Sequence, residues 1–196
     1  MWLILAAVLS VAALLALALW PAEKEPEYQG KKLSQWVAMA QETPHSPAVD
    51  VAIIAIGTNN IPLLLRWLDY KPSKLREWMD DHSSDVPDKL RFLLRNRADE
   101  RTDTAESTFE VLGMRGAAAI PELLRQAPQH VDVTDMRAFI CLSYMGEASF
   151  PSVARMATNK QSASRGEAVW CIRSMTNLGT NTVPAVRLLC DLTKDL

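Results

Sequence analysis

Four segments of the chain share the pattern G-x-x-x-Φ-P, where Φ is β-branched or aromatic, and this repetition constrains the fold more than any other feature. They are Gly57-Thr-Asn-Asn-Ile-Pro62, Gly116-Ala-Ala-Ala-Ile-Pro121, Gly146-Glu-Ala-Ser-Phe-Pro151 and Gly179-Thr-Asn-Thr-Val-Pro184. The glycine is expected to supply the left-handed end of one helix. The proline belongs in the first turn of the next, where its missing N–H leaves no bond unmade. Each unit therefore reads as a helical hairpin. Apolar helical stretches precede the glycines at 48–56, 104–112, 136–145 and 168–178, and a second helix follows each proline. In the clearest copy Ile120, Leu123, Leu124 and Ala127 follow the i, i+3, i+4, i+7 rule and predict one buried face.

A fifth, degraded copy reads His82-Ser-Ser-Asp-Val-Pro87, with histidine in the glycine position. Including it, the prolines are spaced by 25, 34, 30 and 33 residues. The pattern predicts an all-α chain: an α-solenoid of four or five hairpins, at about 47–70, 73–98, 102–127, 134–158 and 163–193. Leu33, Trp36, Val37 and Ala40 form an amphipathic helix over about 33–42 that would cap the first hairpin.

Residues 2–20 carry no charge and end in tryptophan on both sides. As a helix they reach about 28 Å at about 1.5 Å per residue, near the thickness of the bilayer hydrocarbon. Residues 1–21 thus read as a membrane anchor or a signal segment, and 22–32 as a short extended linker opened by Pro21 and Pro26. The absence of a basic n-region favours an uncleaved anchor, while Ala16-Leu17-Ala18 is an acceptable cleavage site. Lys24, Lys31 and Lys32 follow the segment and by charge alone would hold the solenoid in the cytoplasm.

The stretch Val111-Leu112-Gly113-Met114-Arg115-Gly116-Ala117-Ala118-Ala119-Ile120-Pro121-Glu122-Leu123-Leu124 resembles the repeat core of the HEAT family, in particular the short bacterial variety also found in phycobilin lyases. The resemblance extends over about 47–192. The lead-in Tyr28-Gln-Gly-Lys-Lys-Leu-Ser-Gln-Trp36 also looks like that of membrane-anchored or exported bacterial HEAT proteins, which implies a solenoid on the exported side, against the lysines.

Chemistry is sparsely encoded. Lys plus Arg number 21 against 23 Asp plus Glu, a net charge of -2, so no global basic field exists to hold nucleic acid. The sequence has no Gly-rich phosphate loop, no metal-ligand spacing and no G-x-S-x-G elbow, and no metal or cofactor is expected. His45, His82 and His130 sit in polar stretches and read as solvated loop residues. HEAT-like di-iron hydroxylases carry His-Glu pairs, and no His-Glu dipeptide occurs here. Cys171 and Cys190 fall at similar height on two helices of one hairpin, which suits a disulfide in an exported protein; two buried free thiols fit the same sequence.

Superposing the repeats on their prolines aligns Arg66, Arg91, Arg125 and Arg155, each four residues after the proline, with Leu188 breaking the rule in the last copy. At 100° per residue this position lies about 150° from the buried stripe, so these side chains should point outward. Second helices of HEAT hairpins line the concave surface. A row of guanidinium groups there, with Trp67 and Tyr70 as an aromatic anchor, would suit a protein or acidic peptide. An internal charge ladder between repeats would give the same pattern. The sequence thus predicts a membrane-tethered, non-catalytic binding scaffold, with a HEAT-like lyase or transferase, or a purely structural envelope protein, as alternatives. Leu188, Leu189 and Leu192 would leave an apolar edge at the last hairpin.

Overall fold

The computed structural model describes residues 24–44, 46–70, 97–127 and 136–195. The apolar segment 2–20, the Val-Pro step of the degraded copy, Arg91 and all three histidines lie outside them.

Within the described residues the protein is all-α except for one minimal hairpin. The segment read as an extended linker is instead folded: Glu27–Tyr28 (β1) pairs antiparallel with Lys31–Lys32 (β2). Gln29 and Gly30 make the turn, with φ of 50° and 75°, the double positive φ that suits a two-residue hairpin loop. The hairpin folds back on helix α1 (Leu33–Glu42). The Trp36 indole N–H donates to the Tyr28 carbonyl at 3.1 Å, and the Lys31 ammonium lies 4.8 Å from the Trp36 ring centroid.

Among the described residues eight further helices follow: α2 (Pro47–Asn59), α3 (Ile61–Leu68), α4 (Arg97–Leu112), α5 (Ile120–Gln126), α6 (Arg137–Tyr144), α7 (Phe150–Thr158), α8 (Arg165–Ser174) and α9 (Thr182–Leu192). Short 3-10 turns at Gly113–Ala119, Gly146–Ala148 and Gly179–Asn181 join α4 to α5, α6 to α7 and α8 to α9. Proline stands in the first turn of α2, α3, α5 and α7.

The glycines divide into two kinds. Positive φ occurs at Gly113 (51°), Gly146 (49°) and Gly179 (51°), whereas Gly57 and Gly116, read from sequence as left-handed helix ends, do not adopt it. Helix α2 runs through Gly57 to Asn59. What these two positions require is room. A Cβ at Gly57 would stand 2.9 Å from Thr108 Cγ2, and one at Gly116 would stand 3.1 Å from Met145 Cε.

One packing rule recurs. Helix α4 packs against both α2 and α3, α6 against both α4 and α5, and α8 against both α6 and α7, so each incoming helix fills the groove of the preceding pair. The residues that enter the grooves share a spacing. Ala105, Thr108 and Phe109 of α4, Ala138, Cys141 and Leu142 of α6, and Ala168, Cys171 and Ile172 of α8 are all buried, each set reading Ala-x-x-small-large. The small residues bring the helices close; the large one fills the groove. The Thr108 hydroxyl at the small position of α4 is satisfied within its own helix, donating to the Thr104 carbonyl at 2.6 Å.

The turns pack as well. The Glu147 N–H donates to the Asn177 carbonyl at 2.8 Å, and its carboxylate accepts the Thr180 hydroxyl at 2.6 Å, so one residue ties the α6–α7 turn to the chain leading into α9.

No single described helix is long and apolar enough to cross a membrane. Helices α2 and α3 together have the length and composition, but they meet at 87°. Most of their apolar residues are core, Ile53 and Leu64 fully buried, while Val51 of α2 is exposed.

Glycine-to-alanine variants distinguish these roles. Gly57→Ala presses on Thr108 and Leu112, and Gly146→Ala drives a Cβ into the Asn177 carbonyl at a positive φ; each should lose about 1–3 kcal/mol. A Cβ at Gly166, inside α8, meets nothing within 4 Å, and Gly166→Ala should gain about 0.5 kcal/mol. Thermal unfolding followed by circular dichroism reads all three.

Candidate functional site

Arg66 of α3, Arg125 of α5 and Arg155 of α7 are exposed. The structure brings the first two together. Arg66 and Arg125 line one cleft of about 510 Å³, with Pro62 and Leu65 as apolar wall and Asp69, Glu122 and Gln126 as polar neighbours. The Gln126 amide donates to the Leu65 carbonyl at 3.2 Å and so ties α5 to α3 beneath the two guanidinium groups. Arg155 does not line this cleft.

Arg125 is already engaged within its own helix. Its Nε donates to Glu122 Oε2 at 2.8 Å and its Nη2 to Glu122 Oε1, a two-pronged contact. The Arg125 hydrogen bond holds the Glu122 carboxyl below its ordinary value, and the Glu122 carboxylate, with Asp69 behind it, raises Arg125. Arg125 is exposed and Glu122 half-exposed, so water and salt compete with the pair. Two arginines and two carboxylates leave the cleft close to neutral. The sequence reading missed the acidic half, although Asp69 and Glu122 each stand three residues from an aligned arginine, the spacing of helical neighbours.

Trp67 requires a correction. Sequence placed it beside Arg66 as an exposed anchor, but it is 4% exposed. Helix α4 covers it: the Thr102 hydroxyl donates to the Trp67 carbonyl at 2.9 Å, and the Arg101 guanidinium lies 5.5 Å from its ring centroid. The sequence estimate used the stripe of one second helix, and α4 buries α3 from a second side. Leu63 is buried as well, and Tyr70 is half-buried, its carbonyl accepting Arg137 Nη1 at 3.3 Å.

Of the two readings of Cys171 and Cys190, the disulfide is not made: both thiols are free, as is Cys141, though only Cys171 of the pair is buried. Cys171 occupies the small seam position of α8 and its thiol faces the Phe139 carbonyl at 3.2 Å, whereas Cys190 is exposed on α9. Burial raises the Cys171 thiol to about 12 and Cys141 well above its ordinary value, the negative charge of Glu106 adding to the latter.

A second titratable group lies between α4 and α6. Burial, Asp103 and Glu110 raise the Glu106 carboxyl, and Arg137 opposes them. Across from it, burial with Glu110 and Glu106 pushes Tyr144 up to about 12. No group of three or more His, Cys, Asp or Glu side chains among the described residues is placed to hold a metal ion.

No family model, curated protein or solved structure matches the chain.

Two measurements follow from these groups. Intact mass should be the same with and without reductant, and iodoacetamide should modify Cys190 alone until the protein is unfolded. For Glu106, the folded state holds its proton more tightly than the unfolded chain. Its contribution to stability is therefore complete below the ordinary carboxyl value and falls as pH rises through the raised one. Glu106→Gln should flatten that part of the decline in melting temperature that sets in as pH rises above the ordinary carboxyl value of 4.5.

Proposed function

We propose that this protein is a membrane-tethered, non-catalytic scaffold built as a HEAT-like α-solenoid, which binds an acidic segment of a protein partner along its second-helix face. The observation that carries the reading is the convergence of Arg66 and Arg125, from different repeat copies, on one cleft with an apolar wall. Arg155, exposed at the matching position of α7, would extend the contact along the same row; Arg91 lies outside the described residues.

The chemistry is an exchange of partners. A carboxylate of the ligand displaces Glu122 from Arg125, trading one water-screened charge pair for another, so the exchange at any single arginine gains little. Affinity must therefore come from several contacts at once. Binding of this kind is fast, reversible and strongly salt-dependent. A tether formed by residues 2–20 would offset the low intrinsic affinity by raising the local concentration of any partner held at the same membrane. The lead-in around Tyr28–Trp36 favours the exported side.

The intrahelical Arg125–Glu122 pair supports a second reading, in which the arginine row belongs to a charge network of the scaffold itself.

Affinity capture from the native membrane separates the two. The combined variant Arg66→Glu, Arg91→Glu and Arg125→Glu, checked for folding, should retain at least about tenfold less of a specific partner than the parent, with the difference shrinking at high salt. Equal capture by parent and variant would overturn the binding reading.

A further inference from the structure

The cleft between α3 and α5 holds its charges already matched. Arg125 gives two donors to Glu122, the charge of Asp69 acts on Arg125 as well, and Arg66 is engaged in an interaction of its own. A further donor keeps Glu122 in place: the Gln126 amide donates to Glu122 Oε1 at 3.3 Å while it also holds the Leu65 carbonyl. A carboxylate that arrives at Arg125 therefore displaces Glu122 from the guanidinium but not from the cleft. The displaced carboxylate is left beside Gln126, a neutral amide, with Asp69 as a like-charged neighbour. A purely acidic ligand makes one pair and leaves another broken, and the protein's net charge of -2 opposes its approach.

We propose that the occupant of this cleft is a polypeptide segment carrying both signs of charge: an acidic side chain for Arg125 and a basic one for the Glu122 that it displaces. Two pairs are then exchanged for two, and none is left broken. The inference rests on the binding reading above and narrows its partner from an acidic segment to a charge-alternating one. Glu122 and Asp69 become the residues that set specificity, because they disfavour the purely acidic ligand that two arginines alone would prefer. The cleft's own spacing sets the partner's. Glu122 and Arg125 stand three residues apart on one helix, and a helical ligand that repeats Glu-x-x-Lys presents opposite charges at the same interval. Pro62 and Leu65 give the aliphatic stem of the ligand's lysine an apolar wall to lie against.

The test uses the full chain in lipid nanodiscs and synthetic alanine-based helices of equal length, labelled for fluorescence anisotropy, with empty nanodiscs as the blank. One helix repeats Glu-x-x-Lys, one carries glutamate at every charged position and one carries lysine there. At low salt the parent should bind the mixed helix at least about threefold more tightly than either of the others. Glu122→Gln leaves the cleft with an excess of positive charge and should reverse the order, the all-glutamate helix then binding at least about threefold more tightly than the mixed one. Asp69→Asn should move the ratio in the same direction, and Arg125→Glu should pass the preference to the all-lysine helix. Melting transitions of the variants check that each is folded. If the parent prefers the all-glutamate helix, the binding reading stands and this inference falls. An order that is the same in the parent and in Glu122→Gln removes Glu122 as the selecting residue and overturns the inference likewise. A parent that prefers the all-lysine helix, or that binds none of them at millimolar peptide, overturns both.

Discussion

Close approach between successive first helices is the constraint from which the rest of the structure follows. A helix can enter the groove of the preceding pair only if its facing residues are small at one position and large at the next, and α4, α6 and α8 share that spacing. Thr108 against Gly57 shows how tight the fit is: there is no room at position 57 for even one carbon. Cys141 and Cys171 take the same structural place as Thr108, which explains two buried thiols better than redox chemistry does. The Thr108 hydroxyl and the Cys171 thiol are tolerated at this depth because nearby backbone carbonyls accept from them.

Much of the fold was legible in the sequence because it is written by local rules. Prolines 62, 121 and 151 mark the first turns of α3, α5 and α7, and Gly146 and Gly179 take the left-handed conformation that the spacing requires. The misreadings arise where tertiary packing decides. In the third unit the left-handed residue is Gly113, three positions before the glycine the alignment chose, because Gly116 is held against Phe109 and Met145. Trp67 looked exposed on a wheel drawn for one helix, but α4, at 16 residues, also covers α3. The linker hid a hairpin because its only signal was a Gln-Gly turn between pairs too short to show alternation.

The candidate site shows the same division. Outward-pointing arginines were visible as a repeat-aligned column, but their company was not. Asp69 and Glu122 turn a row of positive charge into a nearly neutral, exchangeable set of pairs, so any acidic ligand must displace an internal carboxylate before it gains a guanidinium. That arrangement suits reversible contact rather than tight capture.

If close packing between neighbours carries the stability, protection should be graded along the chain and not uniform. Helix α6 buries five residues between α4 and α8, whereas α9, with no described helix beyond it, buries only Ala185 and leaves Val183 and Val186 67% and 57% exposed. Native-state hydrogen exchange measures this directly. The account predicts that amides of α4 and α6 exchange only through the slowest, global opening, and that those of α9 exchange through a local opening about a hundredfold or more easier. Equal protection in α6 and α9, or the strongest protection in α9, would contradict it.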